Sequence, residues 1–277
     1  MLKKLKMLII EIKKIISEPI MNILPGQLAF FFLLSLPPLI SLVGIIGSSF
    51  AIPTEDFISF ITDSFPAATS SLIIPFVGGR GLDLGSLLFI IGACFMVSKG
   101  TNAIIVTSNA LYKVEEGNEI KRQIKSLFLV FMLLILFAFI LIVPAFGDLI
   151  MGALENIKYI NDIFDELLFV YNIIKLPISF IFIYFIIKII YTIAPDKEIK
   201  SRDVTFGAVF TTILWIVATK IFSYYVINFS TYDVFYGSIA NFIILLLWMY
   251  LLSYIFVLGM ALNAGNRSLE LNSKKGI

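Results

Sequence analysis

Six stretches of mainly apolar residues follow one another along the chain, and the segments between them carry most of its charges. They cover about residues 27–50, 84–110, 126–149, 169–193, 204–229 and 236–264. A helix crosses a bilayer with about 20 such residues, at roughly 1.5 Å rise per residue. The pattern therefore predicts an all-α, polytopic membrane protein with six transmembrane helices.

The segment before the first stretch, residues 1–24, has a different pattern. Its apolar residues recur at helical spacing and are too interrupted for the core of a signal peptide. This predicts an amphipathic helix on the cytoplasmic membrane surface. Residues 25–265 then form one transmembrane domain, and residues 266–277 form a polar cytoplasmic tail. Five lysines of the first segment suit an anionic leaflet: Lys3, Lys4, Lys6, Lys13 and Lys14.

Basic residues divide unequally between the two sides of the six predicted spans. With the N-terminus inside, the inner segments hold fifteen lysines and arginines, whereas the outer loops hold two, Arg80 and Lys158. Basic residues near spanning helices collect on the cytoplasmic side. Both termini are therefore expected to be cytoplasmic.

The second apolar stretch carries a polar stripe. At 100° per residue its members lie within an arc of about 120°, on one face of the helix. Polar groups on a spanning helix should face other helices or a wet cavity. The stripe is either a packing seam between helices or the lining of a substrate path. Its members are Ser98, Thr101, Asn102, Ser108 and Asn109.

Two lysines lie deep in predicted spans, Lys99 beside the polar stripe and Lys220 in the fifth span. A cation near the bilayer centre costs about 2.5–3.5 kcal/mol on insertion scales, and no acidic residue lies in the span cores. One hypothesis lets both side chains reach an interface or an acidic helix end. The other has them meet an anionic substrate, such as a phospholipid headgroup or a polyprenyl phosphate.

Two further features suggest a path through the bundle. Asn241 adds a polar side chain to the sixth span, and Pro37 and Pro38 lie in the middle of the first. Proline removes a backbone donor and kinks a helix. The pair predicts either a packing kink or a broken helix of the kind that lines transporter sites.

Composition supports a membrane protein and argues against an enzyme. Of the 277 residues 59% are hydrophobic and 14% charged, with mean hydropathy +0.99. Histidine is absent and the single cysteine, Cys94, lies in an apolar run, so no metal site, disulfide framework or cofactor is expected. The short inner loops also offer no basic, aromatic surface for nucleic acid.

Several distinctive segments are spread over most of the chain, and each alone would be a weak signal. They are LAFFFLLSLPPL (28–39), SKGTNAIIVTSNALYKVEE (98–116), YGS (236–238), LLLWMYL (245–251) and LGMALNA (258–264), with Arg202, Gly207, Trp215, Lys220, Phe222 and Tyr225. Together they resemble the YihY/BrkB family of bacterial inner-membrane proteins. The family commonly has an acidic residue where this chain has Ala261, so the resemblance does not extend to a mechanism that uses a carboxylate there.

The resemblance implies a multi-pass protein of the bacterial cytoplasmic (inner) membrane with a role in envelope integrity. The family also carries an old ribonuclease label, which the absence of histidine argues against. Three functions remain open: a transporter or flippase for an anionic lipid or lipid-linked envelope precursor, a non-transporting scaffold for envelope biogenesis, and a small-solute channel or exporter. Membrane lipids are the expected partners, and a second copy of the chain in a homo-oligomer or envelope-biogenesis proteins are further candidates.

Overall fold

The computed structural model describes residues 10, 13–49, 55, 58, 62, 74, 84–115, 117–155, 164–229 and 236–274. Within this part of the chain the regular structure is helical, and no strand occurs. The helices are α1 (Ile20–Ser49), α2 (Leu84–Tyr112), α3 (Glu119–Glu155), α4 (Phe164–Ile193), α5 (Thr205–Phe229) and α6 (Ala240–Lys274), with a 3-10 turn at Gly237–Ile239 before α6.

The first long helix starts earlier than its apolar pattern suggests. The chain turns at residues 17–19, and α1 begins at Ile20, directly after Pro19. Proline suits the start of a helix because its missing N–H would have no partner there. Residues 20–24, which the sequence assigned to the surface segment, thus belong to α1, while residues 1–9, 11 and 12 lie outside the described part.

Of the other helices, α3 and α6 extend furthest beyond the predicted spans. α3 begins at Glu119 and ends at Glu155, so it is longer than the predicted span at both ends. α6 continues to Lys274 and takes in most of the predicted polar tail. Good helix formers such as leucine and glutamate occur in this extension, and proline does not. Apolarity alone therefore underestimates the lengths of α3 and α6.

The proline pair in α1 does not interrupt the helix. Residues on both sides of Pro37 and Pro38 are helical, and Pro38 is buried beside Leu39. The side chain of Pro37 is not among those described. The structure thus has a continuous α1, not the broken helix that the sequence left open.

By length and composition, two helical segments of the described part are long and apolar enough to cross a membrane. These are Thr205–Val226 in α5 and Ala240–Gly265 in α6. Shorter apolar helical segments occur at Ile20–Leu36 in α1 and Pro177–Ile193 in α4.

The helices pack in a ring in which each contacts its neighbours in the sequence and α6 returns to α1. α6 also contacts α2, and α1 also contacts α3. Residues 255–263 of α6 are buried without exception. This part of α6 is therefore enclosed by the neighbouring helices.

Most of the core lies towards one end of the bundle, where α2 and α4 finish and α3 and α5 begin. We call it the Asp196 end, after a residue of the α4–α5 loop. All buried residues described in α4 fall within 186–191, and those of α5 within 207–212. In the far halves of these two helices, no side chain that the structure describes is buried. The bundle is thus filled at the Asp196 end and more open beyond it.

Two glycines allow α5 and α6 to cross closely at this end. The backbone N–H of Gly207 donates a hydrogen bond to Asn263 Oδ1 over 2.8 Å. A methyl group on Gly259 would overlap Thr211 Oγ1 and lie 2.8 Å from the hydroxyl oxygen of Tyr191. Small residues at such crossings bring helix backbones together.

This crossing predicts that Gly259→Ala destabilises the protein. The added methyl group has no free space, and overpacking of this kind typically costs about 1–3 kcal/mol. Gly92→Ala on α2 is the matched control, because a Cβ there meets nothing within 4 Å. Thermal unfolding in detergent should show a lower midpoint for Gly259→Ala alone, and equal midpoints for the two variants would contradict the packing.

A polar groove between α2 and α3 as candidate functional site

Hydroxyl groups hold α2 and α3 together along the predicted polar stripe. Thr101 Oγ1 lies 2.7 Å from Ser126 Oγ and donates to the Ser126 carbonyl oxygen over 2.9 Å. Ser126 Oγ donates in turn to the carbonyl oxygen of Ser98 over 2.7 Å. All three residues are buried. This part of the stripe is a packing seam, as one of the two interpretations of the sequence proposed.

Beside this seam is a groove of about 370 Å³, which is open at the surface. Its volume falls within the usual range of ligand pockets, about 300–1,000 Å³. Three of the residues singled out in the sequence line it from α2, and four residues of α3 complete it. The lining residues are Ser98, Lys99, Asn102, Glu119, Ile120, Arg122 and Gln123.

The groove has more positive than negative charge. Lys99 is exposed, and its Nζ lies 4.9 Å from the centroid of the Phe95 ring, a cation–π contact. Arg122 is partly buried and pairs with Glu119 at 3.7 Å, one turn away on α3. Two cations and one carboxylate therefore share the site, an arrangement that favours an anionic ligand.

Asn109, further along α2, has a different role from the residues that line the groove. Its Nδ2 donates to Asp196 Oδ2 over 2.7 Å, and its Oδ1 accepts from the backbone N–H of Asp196 over 2.8 Å. The Gly117 N–H donates to the same carboxylate over 3.3 Å. Lys125 of α3 pairs with the other carboxylate oxygen and donates to the Pro195 carbonyl oxygen over 3.0 Å. We call these contacts the Asp196 network.

Charge and hydrogen bonding determine the ionisation of Asp196. Its side chain is 11% exposed and that of Lys125 is 19% exposed. Burial by itself would raise the pKa of the Asp196 carboxyl, but donors from Lys125, Asn109 and Gly117 and the charge of Lys125 hold that pKa below its usual value. The carboxylate is therefore ionised at neutral pH and joins α2, α3 and the α4–α5 loop.

The remaining predicted residues do not join the groove. Ser108 is buried on α2, and its Oγ has no hydrogen-bond partner in the described part of the chain. Lys220 is exposed on α5, and Asn241 is partly buried in the first turn of α6. Lys99 and Lys220 thus belong to different parts of the structure, since only Lys99 lines the groove.

Sequence reasoning missed the α3 side of the groove and the Asp196 network. Arg122 and Lys125 counted only as charges that indicate topology, and Asp196 only as part of a charged turn. Asp196 is 71 residues from Lys125 and 87 from Asn109, so no local spacing links them. The feature of the sequence that could have indicated the network is the carboxylate of Asp196, which comes directly after the end of a buried helix.

The network predicts a pH-dependent contribution to stability. Because the folded-state pKa of Asp196 is lowered, its contribution is complete above the unfolded carboxyl pKa of about 3.9 and is lost as the pH falls through the folded value. At pH 7, Asp196→Asn should cost about 1.5–3 kcal/mol, the usual range for hydrogen bonds to a charged group.

Unfolding of wild type and Asp196→Asn across pH 3–7 should show two curves that converge towards acid. Asp203→Asn is the control, because it removes a carboxylate from the same loop outside the network. A constant difference at every pH would contradict the assignment.

Comparison with known proteins agrees with the resemblance in the sequence. The family described as virulence factor BrkB matches residues 19–275. A Bacillus subtilis strain 168 protein named ribonuclease-like protein YfkH is 34% identical over 243 residues, which are 86% of this chain and 87% of YfkH. A UPF0761 membrane protein of Haemophilus influenzae strain 86-028NP is 24% identical over 239 residues, 84% and 85% of the two chains.

A further UPF0761 membrane protein, from Photobacterium profundum, is 26% identical over 250 residues, 88% of this chain and 76% of its own. No solved structure matches the chain. The family match extends from the start of α1 to the end of α6 and includes both sides of the groove. The chain is therefore a membrane protein of the virulence factor BrkB family.

Proposed function

We propose that this protein crosses the bacterial cytoplasmic membrane six times, with both termini in the cytoplasm, and moves an anionic lipid or lipid-linked envelope precursor between leaflets. The six long helices and the excess of basic residues in alternate connecting segments support this topology. The Asp196 end then faces the cytoplasm.

The main support for this proposal is that two cations lie on the surfaces of the helices. Lys99 and Lys220 are both exposed, and neither has an ion-pair partner in the part of the chain that the structure describes. A cation at depth in a membrane needs a counter-charge. At a lipid-facing surface, an anionic headgroup supplies that charge.

Packing at the Asp196 end favours a lipid over a soluble solute. Buried residues of all six helices fill this end, and Tyr191 donates to the Phe256 carbonyl oxygen across it over 2.6 Å. A channel would need a water-filled path between these side chains. A lipid can instead move along the outside of the helices, where the two lysines lie.

A nuclease activity has little support in this chain. The word ribonuclease belongs to the name of YfkH, and this chain contains no histidine to act as general base. In the described part, no group of three histidine, cysteine, aspartate or glutamate residues is placed to hold a metal ion. We therefore propose a function without catalysis.

A scaffold for envelope-building proteins is the second candidate. The filled Asp196 end and the contact of Lys99 with Phe95 favour it, because a static protein would have its charges held by protein groups. The two candidates differ in whether lipid crosses the membrane.

Lipid movement in liposomes that contain the purified protein tests the proposal. Wild type should accelerate the transfer of fluorescent phosphatidylglycerol between leaflets, and Lys99→Met/Lys220→Met should lose most of this activity. Each membrane-facing lysine contributes about 1 kcal/mol to the attraction of an anionic headgroup. Removal of both therefore predicts roughly a 10- to 30-fold lower transfer rate.

Lys197→Met/Lys200→Met is the matched control, because both lysines are exposed in the α4–α5 loop. It should transfer lipid at the wild-type rate. A folded wild-type protein that moves none of several anionic lipids would refute transport and favour the scaffold.

The topology has its own test. In a Cys94→Ala background, cysteines placed at Lys113 and Lys197 should react with a membrane-impermeant maleimide in inverted membrane vesicles and resist it in intact spheroplasts. Both positions are exposed and lie in loops at the Asp196 end. Labelling in spheroplasts would reverse the proposed orientation.

A further inference from the structure

We infer that the groove between α2 and α3 binds one phospholipid of the inner leaflet, whose phosphodiester contacts Lys99 and Arg122 and whose headgroup carries hydroxyl groups. The inference rests on the proposed membrane orientation, and it names the ligand that the groove selects. It does not require that the protein also moves this lipid.

The two cations line the groove from opposite sides. Lys99 comes from α2 and Arg122 from α3, so an anion between them would touch both helices. Arginine binds phosphate oxygens through its planar fork, and lysine acts as a compact charge. Because Lys99 is exposed and has an aromatic ring as its described neighbour, its ammonium can still accept a counter-ion.

Amide groups on the groove walls add hydrogen-bonding capacity. Asn102 is partly buried on α2, Gln123 is exposed on α3, and neither side chain has a hydrogen-bond partner in the described part of the chain. A primary amide offers two donors and an acceptor. Such groups, with the Glu119 carboxylate, suit a headgroup with hydroxyls.

Rows of exposed apolar side chains extend from the groove in one direction. On α2 the row consists of Leu88, Ile91 and Phe95, one to three turns before Lys99. On α3 it consists of Leu127 and Phe131, one to two turns after Gln123. Because the two helices are antiparallel, both rows point away from the Asp196 end.

These rows give the lipid an orientation. With the Asp196 end in the cytoplasm, the polar groove lies towards the inner surface and the rows lead to the middle of the membrane. A lipid with its phosphate in the groove would lay an acyl chain along the rows. This is how an inner-leaflet lipid is oriented. A soluble phosphate has no acyl chain to contact the rows.

The charge balance selects among anionic lipids. Lys99, Arg122 and Glu119 together carry one net positive charge. A phosphodiester such as phosphatidylglycerol carries a single negative charge and matches it, whereas a phosphomonoester has up to two negative charges, one of which would lie near Glu119. The groove therefore favours a diester with a polyol headgroup over a terminal phosphate.

A fluorescent label beside the groove measures this preference directly. The protein carries Cys94→Ala and a bimane-labelled cysteine in place of Leu127, and it is reconstituted in phosphatidylcholine with brominated phosphatidylglycerol or brominated phosphatidylcholine. We expect quenching by phosphatidylglycerol to show about five-fold tighter binding per cation, since each basic residue near a membrane surface contributes about that factor.

Lys99→Met/Arg122→Gln should bind phosphatidylglycerol and phosphatidylcholine about equally. Lys121→Met, which removes an exposed cation from the same turn of α3 outside the groove, should keep the preference. Glu119→Gln should raise the relative binding of brominated phosphatidic acid, a phosphomonoester, by about five-fold because it removes the nearby negative charge.

Three results would overturn the inference: equal quenching by the two lipids in the wild-type protein, an unchanged preference in the double variant, or displacement of the lipid by glycerophosphoglycerol, the soluble phosphodiester that lacks acyl chains. The last would show a site for a soluble anion. Loss of lipid transfer with binding retained would instead refute only the proposed function, because the label reports occupancy without movement.

Discussion

A single carboxylate connects separate parts of this helix bundle. Asp196 receives hydrogen bonds from Asn109 at the end of α2, from Gly117 in the next loop and from Lys125 in α3. A largely buried charge is stable only when it is paired and hydrogen-bonded, so each of these groups must stay in place. The α4–α5 loop is thereby fixed to the α2–α3 hairpin, which forms the groove.

Helix packing at the same end supplements the contacts of Asp196. Close crossing of α5 and α6 at Gly207 and Gly259 packs the same end, and buried residues of every helix complete it. Several polar groups that would be costly in lipid make helix contacts there, among them Thr101, Ser126 and Asn263. Lys99 and Lys220 lie on the surface of the described part. This distribution is what motivates the proposed interaction with lipid at the perimeter.

The sequence was sufficient for the helical class and the family, and its residues gave one side of the groove. Periodicity placed Ser98, Lys99 and Asn102 on neighbouring positions of α2, and all three line the groove. It could not assign each polar residue to packing or to the surface, because that depends on contacts with α3. The Thr101 hydroxyl makes its contact with Ser126, whereas the Asn102 side chain makes no hydrogen bond within the described part of the chain.

Helix ends were harder to predict for a physical reason. Apolarity shows where a helix meets lipid or core, but α3 and α6 continue into polar sequence because backbone hydrogen bonds and helix propensity persist there. The Asp196 network could not be predicted from the sequence because its members are distant along the chain. Pro38 also lies buried within an uninterrupted helix, which propensity alone would not favour.

The packing closes the Asp196 end, which leaves the perimeter as the route for a ligand. Cysteine accessibility at Ser108, which is fully buried on α2 next to Asn109, is the measurement that tests this closure. In a Cys94→Ala background, Ser108→Cys should resist a membrane-impermeant maleimide added to either side of the membrane, while Lys113→Cys, at an exposed position, should react from the proposed cytoplasmic side. Rapid labelling of Ser108→Cys in folded protein would reveal an aqueous path through the bundle and show that this end is open.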